Sequence, residues 1–392
     1  MRQPAVLFYV QHLLGIGHLM RAREIAHALA LRGLDVHLVS GGMPVPGELP
    51  AGVRLVQLPP LRVADATFRP LYDAAWQPID DAYRDRRRAL LLDTFDGVAP
   101  AAVITETYPF GRRALRFELD PLLERCLAAR PRPLILASVR DVLQRQPAAR
   151  SAEMLERARD AYDGILVHAD PRFVRFEDSF AADAPLDLAP PVHYTGFVAA
   201  ADDAPAPVAE RSEIVVSAGG GAVGEALVTA ALAARAMSRY RGHRWRVLVG
   251  HNVPEQAFAA LVRSADAGVI VERARADFRA VLARALVSVS QAGYNTALDV
   301  LQSGAAPVFV PFAANGQTEQ PTRAARLARL ALAVVVDEST LDARSLANAI
   351  DEAGTRGSRT FGFDTDGARR AADIVARLLA MRAGASSERV AQ

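Results

Sequence analysis

The chain has 392 residues, of which 51% are hydrophobic and 23% are charged, and its formal net charge is +2. This length allows two domains with apolar cores, and the balanced charge argues against a nucleic-acid partner. All of the basic residues are arginine because the sequence contains no lysine. A Walker P-loop and a Schiff-base enzyme are therefore excluded. The single cysteine, Cys126, excludes disulfide frameworks and cysteine-based zinc sites.

The N-terminal stretch MRQPAVLFYVQH has a short apolar run and no small-residue cleavage site. This pattern predicts a first β-strand and not a signal peptide. No run in the sequence approaches the roughly 20 apolar residues of a transmembrane helix. We therefore expect a cytoplasmic protein, and a peripheral membrane contact is compatible with the sequence.

Short apolar runs alternate with helical runs along nearly the whole chain. This alternation predicts an α/β fold with doubly wound parallel sheets, because strands that are apolar on both faces need helices on both sides. The predicted strands lie at 5–10, 35–40, 53–58, 101–106, 133–138, 164–169, 213–218, 245–250, 268–272, 285–290 and 306–311.

The segment VAAADDAPAPVAER interrupts this pattern and predicts an interdomain linker at 198–211, since it is rich in Ala, Pro and Asp and lacks periodicity. We expect a Rossmann-like domain at 1–197 and a second at 212–383. A last helical run at 367–382 either stays with the second domain or packs back on the first. Residues 384–392 are expected to form a flexible tail.

The loop after the first strand contains Gly15, Gly17 and His18. A dinucleotide fingerprint would need a third glycine where Met20 stands and an acid where the second strand ends at Ser40, so it fails here. Two interpretations stay open. The glycines shape a turn and His18 caps a helix, or His18 is an imidazole at the ligand-binding edge of the sheet that acts as a base.

The stretch SAGGGAVGEAL carries G-x-G-x-x-G spacing at the start of the second half, through Gly219, Gly220 and Gly221 and on to Gly224. The next strand ends at Gly250-His251-Asn252, with no acid for a ribose hydroxyl, which disfavours NAD. Backbone amides at a helix N-terminus nevertheless predict a phosphate or pyrophosphate site. The alternative is a glycine turn that allows close packing of helix and strand.

Two later strand-to-helix segments, SQAGYNTALD and NGQTEQ, carry polar residues suited to binding vicinal hydroxyls and phosphates. Considered one by one, these residues are equally well explained as helix caps and first-turn acids. The residues concerned are Ser290, Gly293, Asn295, Thr296, Asp299, Glu319 and Gln320.

Taken together, these motifs resemble the nucleotide-sugar glycosyltransferases of the two-domain GT-B type. The resemblance is closest to the group that contains the lipid II-forming GlcNAc transferase of peptidoglycan synthesis, with its glycosyltransferase family 28-like C-terminal domain. It covers most of the chain and is strongest at 213–330. It implies two Rossmann-like domains facing a central cleft, with Gly15 and Gly17 in an acceptor-side loop of the first domain.

The resemblance also implies a role for each donor-side motif. The glycine loop 219–221 and the loop 290–296 would face the diphosphate, and Asp299 would hold the ribose. Glu319 and Gln320 would contact the hexose, while the uracil would rest near Glu272 and Arg273. The chain departs from the family's usual pattern in having Asp where Glu is usual at the ribose position, and in having fewer glycines in its first loop.

The implied activity is transfer of a hexose or N-acetylhexosamine from a nucleoside diphosphate sugar, with UDP favoured, to an acceptor hydroxyl. No cofactor and no metal ion are expected, because the D-x-D at Asp364–Asp366 is interpreted as a helix-cap cluster. His18 is the first candidate for the catalytic base and Glu106 the second. Glu106 is alternatively an ion-pair partner of Arg112 or Arg113.

The acceptor is not identified by the sequence; a glycan, a lipid-linked sugar and a small molecule all fit. Residues 60–90 contain Phe68, Tyr72, Trp76 and the run Arg86–Arg88, which would suit an acceptor or an anionic surface. Core aromatics and a solvated helix face are the favoured interpretation of this region. Two rival functions remain, a nucleotide-sugar epimerase of the same fold and a sugar-nucleotide-binding protein without turnover.

Overall fold

A computed structural model describes residues 3–64, 69–181, 183–199, 210–218, 224–251 and 253–390. The chain divides into two compact units. Unit 1 contains Met1–Ala199 and Phe363–Gln392, and unit 2 contains Ala200–Gly362.

Unit 1 is built on a parallel sheet of seven strands in the order β3-β2-β1-β4-β5-β6-β7. The strands are β1 Ala5–Val10, β2 Asp35–Gly42, β3 Val53–Leu61, β4 Ala102–Glu106, β5 Leu134–Arg140, β6 Gly164–His168 and β7 Val192–Tyr194. The helices are α1 Gly17–Leu31, α2 Asp81–Val98, α3 Arg116–Ala128, α4 Ala148–Ala161 and, from the end of the chain, α11 Gly367–Val390.

Unit 2 has a parallel sheet of six strands in the order β10-β9-β8-β11-β12-β13. Its strands are β8 Glu213–Ser217, β9 Arg244–Val249, β10 Val269–Arg273, β11 Ala285–Ser290, β12 Ala306–Phe309 and β13 Val334–Val335. Its helices are α5 Glu225–Ala234, α6 Glu255–Ser264, α7 Phe278–Ala283, α8 Tyr294–Ser303, α9 Glu319–Arg329 and α10 Ala343–Arg356.

The strand order reverses once in each sheet, between β1 and β4 in unit 1 and between β8 and β11 in unit 2. Loops that leave the carboxyl ends of these paired strands diverge to opposite faces of the sheet and open a crevice for ligands. The prediction of doubly wound parallel α/β sheets is confirmed. The two strands that the sequence pattern missed, β7 and β13, have three and two residues, too few for a periodic signal.

The last helix, α11, packs in unit 1. Ala371, Ala372 and Val375 are fully buried and share one apolar core with Ile25 and Leu29 of α1. The helix begins where Gly367 lies so close to the preceding chain that an added Cβ would lie 2.4 Å from the Gly196 carbonyl oxygen. The helix extends through Val390, so it includes most of the segment 384–392.

The arginine run 86–88 has one member in the protein core. Arg87 is fully buried and pairs with buried Glu118, donating from Nη2 to Oε1 at 2.7 Å and from Nε to Oε2 at 2.8 Å. The interpretation of the run as a solvated helix face is therefore wrong for Arg87, whose carboxylate partner compensates the cost of burial. Arg86 stays exposed.

Of the nearby aromatics, Trp76 lies under the guanidinium of Arg62, whose Cζ is 3.6 Å from the ring centre. Phe68 lies outside the described residues.

Within the described ranges, no helix has both the length and the apolar character that a membrane crossing requires.

Candidate functional site

The switch point of unit 1 brings His18 and Glu106 together. His18 is the second residue of α1, which follows β1, and Glu106 is the last residue of β4. Because β1 and β4 are adjacent parallel strands, both residues lie at the same edge of the sheet. The Nδ1 atom of His18 lies 3.0 Å from Oε1 of Glu106. The first and second candidates for the catalytic base therefore form one hydrogen-bonded pair.

The loop before His18 has an open backbone at Gly15. A Cβ built on Gly15 would meet no atom within 4 Å, so neighbouring atoms do not require glycine at this position. The missing side chain leaves the main chain accessible to close approach by a ligand. Gly17 is the first residue of α1 and directly precedes His18.

Glu106 is fully buried, and the side chains that the described structure places in hydrogen-bond contact with it can all donate. Arg21, one turn after His18 on α1, forms an ion pair with Oε1. The hydroxyl of Ser138, near the end of β5, donates to Oε2 at 2.5 Å. The alternative that Glu106 forms an ion pair with Arg112 or Arg113 is wrong, because its ion-pair partner is Arg21 of α1.

A second histidine completes the support of Glu106. His168 at the end of β6 is fully buried, and its Nε2 lies 2.9 Å from the Ser138 hydroxyl. Its Nδ1 lies 2.9 Å from the hydroxyl of Thr195. Because the Ser138 hydroxyl donates to Glu106, it accepts from Nε2–H of His168. A hydrogen-bonded chain therefore links Thr195, His168, Ser138 and Glu106 to His18.

The electrostatics of this chain favour an anionic Glu106 beside neutral imidazoles. Burial by itself raises the pKa of Glu106, but the charge of Arg21 and the hydrogen bond from His18 outweigh it, and the pKa is lowered. Burial lowers the pKa of His168 to about 3, and Arg21 adds to the effect. Burial and the charge of Arg112 hold the pKa of His18 well below its usual value.

Nδ1 of His18 lies 3.0 Å from the Glu106 carboxylate, which can only accept, and 3.2 Å from Nη2 of Arg21, which can only donate. We assign the His18 proton to Nδ1 because the carboxylate is the nearer of the two and Arg21 already pairs with it. The lone pair is then on Nε2, and no described residue is hydrogen-bonded to that atom. The side chain of His18 is 14% exposed, against 0% for Glu106. This arrangement gives a neutral imidazole that is oriented by a buried carboxylate and able to take a proton at Nε2.

The loop after β4 is held in an unusual conformation. Thr107 and Arg112 both have positive φ, 69° and 59°, in the left-handed region that β-branched and long side chains rarely adopt. Gly111 lies between them, and a Cβ there would come within 2.6 Å of the Thr107 methyl group. Strain of this kind persists where surrounding contacts impose it, and it clusters at functional sites.

In unit 2, the glycines Gly219, Gly220 and Gly221 lie outside the described residues. The next described residue, Gly224, caps α5 with φ of 141°, and a Cβ there would lie 2.2 Å from that of Ala218. Glycine is therefore required at Gly224 by backbone conformation and by packing, whatever the loop before it binds.

Four of the predicted donor residues lie where β11 ends and α8 begins. Ser290 ends β11 and is fully buried, and its hydroxyl has no hydrogen-bond partner within the described ranges. Gly293 is the N-cap of α8, which places Asn295 and Thr296 in the first turn of the helix. The N-terminus of a helix is the end that favours an anion.

Asp299 is the sixth residue of the ten-residue helix α8, further into the helix than the sequence pattern suggests. It is partly exposed, and its Oδ1 lies 3.6 Å from Nε of Arg279. A partly exposed carboxylate with a neighbouring guanidinium is a suitable acceptor for hydroxyl groups.

The remaining predicted donor residues make internal contacts. Glu319 begins α9, is buried, and accepts from Arg323 at 3.2 Å, while the same arginine donates to the Ala292 carbonyl at 2.7 Å. Gln320 accepts from the Phe312 amide at 3.0 Å. These contacts tie the start of α9 to the loops that follow β11 and β12.

On β10, Glu272 accepts from Arg246 at 2.6 Å. Arg273 donates to the carbonyls of Gly250 and Val253, and its guanidinium lies 4.1 Å from the centre of the Phe258 ring. Both side chains therefore stabilise the edge of the sheet. Their backbone is the part that the resemblance assigns to the nucleobase.

No sequence motif marks Arg21, Ser138, His168 or Thr195 as site residues. A signal existed for two of them, because Ser138 and His168 are polar residues at the ends of predicted strands of a parallel sheet. Their participation becomes visible once β5 and β6 are placed beside β4.

Comparison with known proteins gives a family match that covers most of unit 2 and the first half of α11. Residues 214–378 match the model of the glycosyltransferase family 28 C-terminal domain. No curated protein matches the chain in sequence.

Several solved structures share the fold over nearly the whole chain. One is CalG4, the calicheamicin glycosyltransferase, at 16% identity and a TM-score of 0.58, covering 99% of this chain and 98% of that chain. Another is UGT2 of Phytolacca americana, complexed with UDP-2-fluoroglucose and pterostilbene, at 16% identity and a TM-score of 0.57, covering 95% and 94%. MurG of Acinetobacter baumannii matches at 16% identity and a TM-score of 0.53, covering 96% and 99%.

At these identities the likeness shows a common fold, and the family match adds the glycosyltransferase character of the second unit. The chain is therefore a glycosyltransferase with the GT-B fold, and its residues 214–378 are a glycosyltransferase family 28 C-terminal domain.

Proposed function

We propose that this glycosyltransferase moves a hexose or N-acetylhexosamine from a UDP-linked donor to an acceptor hydroxyl, without a bound metal ion and with His18 as the base. The observation that carries the proposal is the bond of His18 Nδ1 to buried Glu106 at 3.0 Å. It leaves Nε2 as the proton acceptor on a neutral ring, which is the state that a general base needs. Unit 1 then supplies the acceptor side and unit 2 the donor side.

In this mechanism the acceptor hydroxyl transfers its proton to Nε2 of His18 while its oxygen bonds to the anomeric carbon. The bond between that carbon and the diphosphate oxygen breaks, and UDP leaves with the electron pair. A single displacement of this kind inverts the anomeric configuration. Glu106 stabilises the imidazolium that forms, and Ser138 and Arg21 hold Glu106 in position.

The departing diphosphate gains negative charge that the protein must stabilise. The helices α5 and α8 both follow the strands at the switch point of the unit 2 sheet, so their N-termini lie at its ligand-binding edge. Helix N-termini bind phosphate without a lysine, which the chain lacks. Asp299 is assigned to the ribose hydroxyls, and Glu319 and Gln320 to the hexose. UGT2 of Phytolacca americana, which has the same fold, was solved with UDP-2-fluoroglucose.

The first test is ligand binding by thermal shift with UDP, GDP, TDP and NAD. We expect UDP to raise the melting temperature and NAD to have no effect. Stabilisation by NAD alone contradicts the proposal. A GDP or TDP response without a UDP response overturns only the choice of nucleotide.

The second test is turnover. UDP-glucose and UDP-N-acetylglucosamine are incubated with a panel of acceptor alcohols, and UDP release is followed with and without EDTA. We expect release that persists in EDTA, with product of inverted configuration by NMR. Conversion of the donor into its epimer would favour the epimerase alternative. UDP binding without turnover on any acceptor would favour a binding protein.

A further inference from the structure

Arg87 of α2 uses every N–H donor of its side chain. A guanidinium carries five N–H groups in a fixed planar fork. Two of them, on Nε and Nη2, donate to the carboxylate oxygens of Glu118 at 2.8 and 2.7 Å. Nη2 also donates to Oε1 of Gln11 at 3.1 Å. Nη1 donates to the carbonyl of Gly41 at 3.0 Å and to the carbonyl of Pro59. The fully buried fork is therefore completely paired.

Three of these acceptors lie at one edge of the first sheet. Gln11 directly follows β1, Gly41 lies near the end of β2, and Pro59 lies near the end of β3. Since β1, β2 and β3 are adjacent and parallel, all three positions are at the carboxyl edge, where such sheets bind their ligands. Arg87 therefore cross-links the ligand-binding ends of three neighbouring strands.

Two glycines of β2 make room for the two residues that follow β1. A Cβ on Gly41 would lie 2.2 Å from Oε1 of Gln11, and a Cβ on Gly42 would lie 2.4 Å from the ring of His12. Neither glycine has a positive φ, so this close approach is what requires glycine. Nε2 of His12 also donates to the Met43 carbonyl at 3.0 Å. Gln11 and His12 are thereby held against the end of β2.

The segment held in this way leads to the candidate base. Gln11 and His12 begin the loop 11–16, and His18 is the second residue of the helix that follows. Nε2 of Gln11 donates to the His12 carbonyl at 2.8 Å. The same side chain therefore joins Arg87 to the backbone of the loop, and the start of the loop is fixed from α2.

We propose that Arg87 is a positioning residue for the base. It holds Gln11, and through Gln11 the loop 11–16, in the place from which α1 presents His18. This proposal rests on the proposed function. The bond to Glu106 orients the imidazole, whereas the anchored loop determines where its Nε2 lies at the ligand-binding edge. Position matters as much as orientation, because a displacement of about 1 Å can lower a rate about 10²-fold.

A double-mutant cycle tests whether Gln11 acts through His18. Gln11→Met removes the acceptor for Arg87 and the donor to the loop while keeping a side chain of similar size. We expect it to lower kcat about tenfold and to leave the donor KM within about twofold of the wild type. In a His18→Gln background it should change kcat less than about twofold, because the group that it misplaces is already absent. Equal losses in the two backgrounds would overturn the proposal.

Arg87→Lys separates the charge of Arg87 from its fork. Lysine keeps a positive charge opposite Glu118, but a single ammonium group does not reproduce the five-donor fork. We expect kcat to fall about tenfold, with little further loss when Gln11→Met is added. Arg125→Lys is the control, since Arg125 forms an exposed ion pair with Asp96 between the same two helices. A folded Arg87→Lys protein with the kcat of Arg125→Lys would show that Arg87 is structural only.

NMR of the histidine imidazoles in the full chain gives a readout that does not depend on turnover. The His18 signals, assigned with His18→Gln, report which ring nitrogen holds the proton. We expect the Nδ1–H tautomer in the wild type and a mixture of tautomers in Gln11→Met, because the displaced ring loses part of its bond to Glu106. The signals of His193, on β7, should stay unchanged.

Identical His18 signals in the wild type and Gln11→Met would overturn the positioning role. If the wild type binds and releases UDP while Gln11→Met keeps full kcat, this proposal fails alone. If the wild type neither binds nor releases UDP, the proposed function fails, and the NMR comparison still decides whether Gln11 positions His18.

Discussion

Nδ1 of His18 lies 3.0 Å from Oε1 of Glu106, at the point where the strand order of the first sheet reverses. The imidazole of His18 is partly exposed, whereas the carboxylate of Glu106 is fully buried. The hydrogen bond between them favours the tautomer with the proton on Nδ1. The pair is built from two separate segments, the start of α1 and the end of β4.

Replacement of His18 tests the base directly. We expect His18→Gln to lower kcat about 10²- to 10⁴-fold, the range typical of general acid–base catalysis, with UDP binding unchanged. Steady-state kinetics and UDP thermal shift measure the two effects. His37→Gln, on β2 of the same unit, is the control and should retain wild-type kcat. Equal activity of the two variants would remove His18 from the mechanism.

Replacement of Glu106 tests the buried charge. Glu106→Gln leaves the Arg21 cation buried beside a neutral amide, so we expect a loss of about 3 kcal/mol in the free energy of unfolding. Urea denaturation measures it. The double variant Glu106→Gln/Arg21→Met should recover stability but not turnover. Recovery of turnover as well would mean that the carboxylate serves only to neutralise Arg21.

Ser138→Ala tests the support behind Glu106. The variant removes the donor to Oε2 and leaves Nε2–H of His168 without its acceptor. We expect kcat to fall about tenfold, from the loss of roughly 1–2 kcal/mol of hydrogen bonding, with donor KM unchanged and the pH–rate profile displaced. Ser151→Ala, another buried serine of unit 1, is the control. An unaltered pH profile would make Ser138 structural only.

The stability of the protein should fall as the pH drops below about 6.5. Both His18 and His168 have lowered pKa values in the folded state, and that of His168 is about 3. Below about pH 6.5 and above its folded-state pKa, each histidine is protonated in the unfolded protein but not in the folded protein. Each histidine then contributes about 1.4 kcal/mol per pH unit. The lowered pKa of Glu106 steepens the loss below about pH 4.3.

Urea denaturation between pH 7 and 4 measures this dependence. His168→Gln should reduce the slope between pH 6 and 4.5 by about one proton, or about 1.4 kcal/mol per pH unit. His243→Gln, at a partly exposed histidine of unit 2, serves as the control. A His168→Gln slope equal to that of the wild type would show that His168 is protonated in the folded state.

Asp299→Ala tests the donor side. We expect the donor KM to rise about 10-fold or more, because a hydrogen bond to a charged group contributes about 1.5–3 kcal/mol, while kcat changes little. Arg279→Gln is the matched variant, since Arg279 is the ion-pair neighbour of Asp299. An unchanged KM in Asp299→Ala refutes the ribose assignment. Equal KM changes in both variants would assign the effect to the ion pair.

The sequence by itself determined the architecture and the class of the protein. Apolar runs such as AVLFYV and EIVVS are strands covered on both faces, and their alternation with helices leaves a doubly wound parallel sheet as the solution. The motifs between 213 and 330 resemble those of glycosyltransferases, and the resemblance can be recognised from sequence because each motif is a short contiguous segment.

Only the tertiary structure decided how the candidate residues combine. Glu106 is 88 positions from His18, 32 from Ser138 and 85 from Arg21, and no local pattern records which of these side chains meet. The parallel order of β1, β4, β5 and β6 places their carboxyl ends side by side, which turns separate polar residues into one hydrogen-bonded chain. The same placement pairs Glu106 with Arg21, since a buried charge pairs with the neighbour that the fold brings nearest.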